Sequence, residues 1–297
     1  MIEEGARQGV TGAGARATGR SITAAPTSSR SVGHRGFARA LWIGAVALIL
    51  FLLLPIVALV VRAAQETDAI SAETSQTLRQ ALRLTFVTSL ITLAIVVAFG
   101  TPLAYLLARQ RFRGRRLVET LIDLPMVLPP AVAGIALLMA FGRRGIVGEP
   151  LDRIGITFGF TTAAVVMAQI FVAVPFYVRA ARAGFARVSH DLEEAAADLG
   201  ASPARVFGTV TLPLAAQSIA AGAVLSWARA VGEFGATIMF AGNFAGRTQT
   251  MSLAIYGRYD AGDLDSAIVL AAVLLGVSML FLLAVRSVGG RAGDLSG

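Results

Sequence analysis

The sequence predicts an all-α fold, a polytopic transmembrane helical bundle of about six spans. Its 297 residues are 56% hydrophobic and 15% charged, whereas a soluble domain carries about 25% charged residues. A helical span needs roughly 20 apolar residues. Six segments reach or approach that length: 42–61, 84–108, 124–142, 161–178, 214–242 and 266–285.

The arginines give the predicted topology. All 26 basic residues are arginine. When the N-terminus is placed in the cytoplasm, the inner segments carry 17 of them and the outer segments carry 8, which follows the positive-inside rule. Six spans return the C-terminus to the same side, so both termini are predicted to be cytoplasmic. Because the net charge of +8 follows this membrane pattern, it indicates contact with membrane lipid and no nucleic-acid partner.

The two ends are predicted to lie outside the bundle. Residues 1–37 are rich in Gly, Ala, Ser, Thr and Arg and poor in large apolar residues, so we expect a disordered cytoplasmic tail there. The transmembrane domain is placed at 38–288 and a short cytoplasmic tail at 289–297. The first apolar run is longer than the about 7–15 residues of a signal peptide, so we expect an uncleaved first span.

Several kinds of chemistry find no support in the sequence. The chain has no cysteine, which excludes disulfides, thiol catalysis and cysteine-based metal sites. Its two histidines, His34 and His190, form no metal-ligand motif, and neither His-Glu-x-x-His nor Gly-x-Ser-x-Gly occurs. An intramembrane enzyme would need a nucleophile–base pair or a metal cluster within its spans. The sequence therefore predicts no catalytic residue and no metal site.

Prolines are frequent within the predicted spans and cluster in the run Leu-Pro-Met-Val-Leu-Pro-Pro at 124–130. Proline removes a backbone donor and kinks a helix, which is tolerated in a membrane where neighbours satisfy the freed carbonyls. Two interpretations remain open: simple packing geometry, or kinked helices around a pathway. The 124–130 run favours the second.

A polar, acidic segment interrupts the apolar pattern before the fifth span. An apolar stripe with helical spacing runs along it: Val188, Leu192, Ala195, Ala196 and Leu199. Ser189 or Asp191 is suited to cap the start of this helix, and Gly200 to end it. Ser202-Pro203 is the typical start of another helix. The segment therefore predicts two short amphipathic helices.

This segment has four possible structural roles. An interfacial helix on lipid carries Lys or Arg on its polar face, but this polar face is acidic, with Asp191, Glu194 and Asp198. A solvated loop needs no apolar stripe. A helix pair packed on its own protein remains open, as does a docking surface in which an amphipathic helix lies in a groove of a partner.

The same segment contains a longer pattern. It reads Glu194-Ala195-Ala196, three residues, Gly200, nine residues, and Val210-Thr211-Leu212-Pro213. This resembles the EAA loop of ABC-importer permeases, with Val210 in place of isoleucine. The resemblance implies a type I ABC importer permease fold in a bacterial or archaeal inner membrane. It also implies that the 185–213 loop forms cytoplasmic coupling helices, which dock on a separate ATPase subunit, and that two copies pair around the pathway.

On this resemblance, the ATPase-coupling residues are Glu194, Ala195, Ala196, Gly200, Leu212 and Pro213. The chain has no Gly-x-x-x-x-Gly-Lys-Ser/Thr phosphate loop. It is therefore predicted to be a permease subunit and not an enzyme, with no cofactor of its own. ATP and Mg²⁺ would be used by the partner ATPase.

The fifth span carries the second informative stretch, 227–256. Charges within spans are candidates for function, and Arg229 and Glu233 stand four residues apart, where they can pair. A structural ion pair and a role along the translocation path both remain open. The 28 residues of 214–241 would measure about 42 Å as one helix, which exceeds the roughly 30 Å hydrocarbon core. Tilt, a break or protrusion is therefore expected.

This stretch resembles molybdate and tungstate permeases, and sulfate permeases are close relatives. The similarity is carried by 232–237, 241–243 and 246–250, and by the 124–130 and 141–145 stretches. It implies an oxyanion substrate and an extracytoplasmic oxyanion-binding protein, which would land on the outer loops 62–83, 143–160 and 242–264. The candidate path or gate residues are Arg229, Glu233, Thr237, Asn243, Arg247 and Thr248.

Residue chemistry alone does not separate molybdate from sulfate, so a sulfate or thiosulfate permease stays an alternative. A channel or a secondary carrier is the alternative of another class. Secondary carriers often contain inverted repeats, and the sequence has no clear internal repeat. A channel would not need a loop that couples to an ATPase.

Overall fold

The computed structural model describes residues 32–66 and 71–293. Secondary structure in these ranges is helical, and we number the helices in chain order. They are α1 Val32–Gln65, α2 Ala72–Arg109, α3 Arg115–Val127, α4 Pro130–Phe141, α5 Gly148–Asp152, α6 Thr162–Arg187, α7 His190–Asp198, α8 Pro203–Val206, α9 Leu212–Val231, α10 Gly235–Ala241, α11 Met251–Asp260 and α12 Leu264–Gly293. A π-helical turn, Phe207–Thr211, joins α8 to α9.

The chain divides into two compact units, Met1–Leu54 and Pro55–Gly297. In the first unit the described residues are the N-terminal part of α1. The second unit holds the rest of α1 and every other helix named above. Helix α1 begins at Val32 and α12 ends at Gly293, so most of the predicted 1–37 tail and residues 294–297 of the predicted C-terminal tail lie outside the described residues.

Five helices of the described part are long and apolar enough to cross a membrane, or up to six spans if one bent pair is counted. The five lie at Leu41–Gln65, Ala72–Arg109, Thr162–Arg187, Pro203–Val231 and Leu264–Leu283. This confirms a polytopic all-α bundle of about six spans. The first, second and sixth predicted spans each lie within a single helix, and the fourth lies within α6 except for Thr161, which caps it.

The predicted third span, 124–142, is not a single helix. The chain bends by 120° between helix α3 and helix α4. The bend lies at Leu128–Pro129, where both residues have extended ψ angles of 133° and 135°. A residue before proline is disfavoured in the α region, and proline cannot donate the next helical bond. The Pro129-Pro130 pair therefore ends α3 and lets α4 begin in a new direction.

The predicted fifth span is broken rather than tilted or protruding as one rod. Helix α9 ends at Val231 and α10 begins at Gly235. The intervening Gly232 has φ −82° and ψ 6°, and Phe234 has φ −132° and ψ −57°. Two of the predicted spans are thus interrupted helices.

The core of the second unit is built where α2, α6 and α9 pack together. Its buried side chains include Leu107, Tyr177, Phe185 and Ala215. Small residues bring α6 and α9 close, since a Cβ on Gly184 would lie 2.5 Å from Ser218 Cβ. Such small residues are the usual means of close helix packing in membranes. A second cluster joins α4, α6 and α10, so the broken helices pack on the same central helix.

Candidate functional site

The first candidate site is the EAA segment, residues 188–213. Ser189 is extended and its Oγ accepts from Asp191 N at 3.2 Å, which caps α7. The helix ends at Asp198, and Gly200 follows with φ +87°. This left-handed conformation suits glycine, and it turns the chain so that Ala201 N donates to Ala196 O at 3.1 Å. The cap and the stop of α7 lie where the sequence places them.

The second predicted short helix is wrong as a separate element. Ser202 and Pro203 do begin a helix, but α8 continues through the π-helical turn directly into α9. Pro213 is the second residue of α9 and follows the π-helical turn directly. The segment is therefore one short helix, α7, followed by a turn and the extended start of the fifth span.

The leucines of the apolar stripe face outward at α7, whereas Val188, the first residue of the stripe, is buried in the core. Leu192 is 52% exposed and Leu199 is 90% exposed. Glu194 and Ala195 are also exposed, and Ala196 is half-buried. The described residues leave these leucines uncovered, although Val188 and Glu193 attach the segment to the bundle. A surface that binds a partner protein fits these exposed leucines better.

Glu193, the residue before the motif, attaches α7 to the bundle. Its Oε1 lies 2.8 Å from Arg109 Nη2, at the end of α2. The same oxygen accepts from Thr211 Oγ1 at 2.5 Å, at the start of α9. Arg109 Nη2 also donates to Val188 O at 3.0 Å. The side chains of Glu193 and Arg109 are only 13% and 9% exposed, so one carboxylate joins α7 to two long helices.

The second candidate site is the break in the fifth span. Glu233 is buried, at 1% exposure, and its Oε2 lies 2.7 Å from Arg229 Nη1. Its Oε1 accepts from Ala236 N at 2.7 Å, in the first turn of α10. The carboxylate thus satisfies a free amide of that turn and neutralises an arginine in the last turn of α9. Arg229 keeps 29% exposure, so its guanidinium reaches the edge of the packed helices.

The two interrupted spans meet at their breaks. A Cβ on Gly235, where α10 begins, would lie 2.4 Å from Pro130 Cβ, where α4 begins. One turn further along α4, a Cβ on Gly134 would lie 2.7 Å from Ala236 O. Glycine at both positions therefore allows the two helices to touch through their backbones. The start of α4, the start of α10 and the Arg229–Glu233 pair form one structural unit.

A substitution at Gly134 should separate α4 from α10. We expect Gly134→Ala to destabilise the protein by up to about 2 kcal/mol, because overpacking costs about 1–3 kcal/mol and the gain in helix propensity returns only about 1 kcal/mol. Thermal unfolding in mild detergent measures the change. Gly276→Ala in α12 is the matched control, since a Cβ there meets no atom within 4 Å. An equal shift for both variants would contradict the close contact.

Of the remaining path candidates, Thr237 lies within α10, and the other three lie at its far end, in the loop 242–250. Thr248 is fully buried, and its Oγ1 accepts from Phe244 N at 2.9 Å and donates to Gly242 O at 3.2 Å. Asn243 Nδ2 donates to Leu253 O at 3.1 Å. The exposed Arg247 accepts from Thr162 Oγ1 through its carbonyl, at 2.8 Å. The hydroxyl of Thr248 is thus engaged within its own loop.

Unpartnered polar atoms remain along this helix and loop. Thr237 Oγ1, Asn243 Oδ1 and Thr250 Oγ1 are buried without a hydrogen-bond partner among the described residues. Buried polar groups normally have partners. The structure therefore divides the six path candidates by position: the Arg229–Glu233 pair before α10, Thr237 within it, and Asn243, Arg247 and Thr248 in the loop after it. Their role in a path stays a prediction.

The sequence of this chain is similar to those of known proteins. Residues 100–289 match the family model described as binding-protein-dependent transport system inner membrane component. The chain belongs to this family. The permease is 42% identical over 249 residues to the molybdenum transport system permease protein ModB of Mycobacterium bovis, which covers 83% of this chain and 93% of that protein. It is 36% identical over 260 residues to the sulfate transport system permease protein CysT of Escherichia coli, with 87% and 94% covered.

Solved structures show the same fold at low identity. A bacterial alginate ABC transporter, in complex with alginate pentasaccharide-bound periplasmic protein, matches 88% of the permease with a TM-score of 0.68 and 18% identity. The MetNI methionine ABC transporter matches 75% of it with a TM-score of 0.55 and 18% identity. These matches confirm the type I ABC importer permease fold. The permease is an inner-membrane transport component.

Sequence analysis missed Arg109, Glu193 and Thr211 as a connected group. Glu193 stands next to the motif, but its partner Arg109 is 84 positions away in the chain. One sequence signal was available: Glu193 lies between two residues of the apolar stripe. An acidic side chain there needs a partner if that side of the helix is covered. Arg109 was counted only as a topogenic charge.

Proposed function

We propose that this permease forms the translocation path of an ATP-driven importer for molybdate or tungstate, as a homodimer. In this proposal it works with cytoplasmic ABC ATPase subunits and an extracytoplasmic oxyanion-binding protein. The permease would bind no cofactor, and ATP and Mg²⁺ would be used by the ATPase. The observation that carries the coupling is α7, whose exposed Leu199 faces outward while its Glu193 is fixed to α2 and α9.

The coupling proposal follows from the two sides of α7. The outer side offers Leu192, Leu199 and small alanines, which suit a groove in a partner protein. The inner side transmits any displacement of α7 through the Glu193 carboxylate. Because α8 and the π-helical turn continue into α9, the same displacement also acts along the fifth span. Movement at the docking surface would therefore reach the break at Gly232–Phe234.

The arginine distribution supports a cytoplasmic position for α7. The end of the bundle that holds α7 also carries the 109–116 and 179–205 arginines, which the positive-inside rule places in the cytoplasm. An ATPase that uses cytoplasmic ATP would meet α7 on this side. The opposite end carries the 143–160 and 242–264 loops, where the binding protein would deliver its anion.

The break at Arg229–Glu233 supports an anionic substrate. A buried carboxylate cancels most of the arginine charge, so the site offers positive potential without a strong trap. Transport requires such balance, because a substrate bound too tightly does not leave. The exposed edge of Arg229 would face the shared interior of a pair of copies. The neutral Thr237, Asn243 and Thr248 would add hydrogen-bonding groups further along.

The identity of the oxyanion is supported by the relatives. The ModB match has 42% identity and the CysT match 36%, with similar coverage of the chain. This difference favours molybdate or tungstate, and the high coverage of the CysT match keeps sulfate as the second candidate.

The test is the ATPase activity of the reconstituted complex, with its ATPase subunits and its binding protein, against molybdate, tungstate and sulfate in turn. We expect stimulation by molybdate and tungstate and none by sulfate. Stimulation by sulfate alone would assign the permease to the second candidate and leave the coupling proposal intact. Uptake that continues without ATP hydrolysis would contradict the coupling proposal and favour a carrier or channel.

A further inference from the structure

A basic cavity lies between the loop that follows α2, the first turns of α3 and the second half of α6. Its volume is about 550 Å³, and Arg111, Arg115, Arg116 and Arg182 contribute to its lining. Glu119 is the carboxylate among its lining residues. Four positive charges against one negative charge leave a net charge of +3. The transport proposal gives this cavity no role.

Glu119 holds two of the arginines in place. Its Oε1 lies 2.8 Å from Arg115 Nε and 3.1 Å from Arg182 Nη1. In the part of the chain that the structure describes, Arg111 and Arg116 form no ion pair with a carboxylate. The cavity therefore combines two oriented guanidinium groups with two uncompensated ones. Guanidinium groups bind phosphate oxygens in a bidentate manner, so this set is suited to a phosphate group.

The surroundings of the cavity are apolar on one side. Phe112, Leu117 and Leu121 are 43%, 63% and 56% exposed. Leu117 and Leu121 are one helical turn apart on α3, while Val118 and Ile122 on the same helix pack against the core. Apolar side chains are thus presented next to the arginines. A soluble anion would use the arginines but would leave this apolar surface uncovered.

The cavity lies at the depth of lipid headgroups. The apolar stretch 84–108 of α2 would fill the hydrocarbon core, and the arginine-rich segment 109–116 follows it directly. Basic pockets between transmembrane helices at this level are suited to anionic lipid headgroups. The leucines of α3 are then placed beside the acyl chains of the same lipid.

We propose that this cavity binds the phosphodiester of an anionic phospholipid. Arg111 and Arg116 contact the phosphate, and Arg115 and Arg182 line the cavity in the orientation that Glu119 sets. The acyl chains pack against Phe112, Leu117 and Leu121. The bound lipid covers the junction between α2, α3 and α6, close to the Arg109–Glu193 contact.

Lipid titration of the detergent-purified full-length chain tests this proposal. Phosphatidylglycerol, phosphatidylcholine and glycerol phosphate are added separately, and the bound molecules per chain are counted by native mass spectrometry. We expect phosphatidylglycerol to bind more tightly than the other two. The Arg111→Gln/Arg116→Gln double variant should weaken phosphatidylglycerol binding roughly 25-fold, because each arginine contributes about fivefold, and leave phosphatidylcholine binding unchanged.

The matched control is Arg113→Gln/Arg144→Gln, which removes the same charge from exposed positions outside the cavity lining. Equal weakening in this control would show general charge attraction and overturn the site. Equally tight binding of glycerol phosphate would assign the cavity to a soluble anion and overturn the lipid. Loss of ATPase co-purification with the cavity variant, at unchanged lipid binding, would assign the arginines to a protein partner.

Discussion

Replacing Arg229 with alanine is expected to lower the free energy of unfolding by about 3–5 kcal/mol, because removing one partner of a buried ion pair leaves the other charge uncompensated. Glu233 is 1% exposed, so its charge would stay buried in the variant. Its bond to Ala236 N compensates only one carboxylate oxygen. Thermal unfolding of the detergent-purified permease measures the loss.

A double-mutant cycle identifies the cause of that loss. The partner variant is Glu233→Gln, because the amide oxygen still accepts from Ala236 N while the charge is removed. We expect Arg229→Ala/Glu233→Gln to recover most of the stability lost in Arg229→Ala. Equal destabilisation in the single and double variants would contradict the ion pair. Transport by the double variant then distinguishes the two interpretations of the pair: restored stability with lost transport assigns Arg229 to the path, and recovery of both assigns it to structure.

Removing the carboxylate of Glu193 is expected to uncouple ATP hydrolysis from transport. In Glu193→Ala, Arg109 keeps a largely buried charge without a partner, which costs about 3 kcal/mol. A contact weakened by this amount opens roughly a hundredfold more often, so α7 would move without moving α2 and α9. We expect ATP hydrolysis to continue while the oxyanion imported per ATP falls several-fold. Paired ATPase and uptake assays on the reconstituted complex measure this ratio.

Three variants control this result. Asp191→Asn removes a charge from the same helix but breaks no ion pair of the described structure, and the ratio should stay unchanged. Glu193→Gln keeps the acceptor for Thr211 and should give an intermediate ratio. The exchange Arg109→Glu/Glu193→Arg should recover part of the coupling. An unchanged ratio in Glu193→Ala, with normal ATPase co-purification, would show that α7 does not act through this carboxylate.

The features that sequence analysis predicts correctly here are local ones. The cap at Ser189, the left-handed Gly200 and the start at Ser202-Pro203 depend on residues within a few positions of each other. The length of the fifth span predicted tilt, a break or protrusion, and the structure shows the break. For the prolines of the third span, the sequence favoured kinked helices and left simple packing geometry open. The structure shows a bend, where consecutive prolines follow an extended Leu128.

The features that were missed depend on contacts between distant segments. Nothing in the sequence pairs Pro130 with Gly235, or Arg109 with Glu193, because these contacts arise from how α4, α10, α2 and α7 pack. The π-helical turn has no recognisable sequence signal either, since its residues are compatible with an ordinary helix.

The π-helical turn Phe207–Thr211 sets the rotation of α7 and α8 around the axis of α9. A π-helical turn accommodates one residue more than an α-helical turn, and each residue of an α-helix advances its face by about 100°. The extra residue rotates α8 by about 100° around the helix axis. The side of α8 that faces α7 would point in a different direction if α8 continued into α9 as a regular α-helix. Deleting a single residue such as Gly208 would turn α7 around the axis of α9 and leave the core contacts of α9 in register. On the coupling proposal, the angle at which α7 would meet the ATPase is thus set by the length of this five-residue turn.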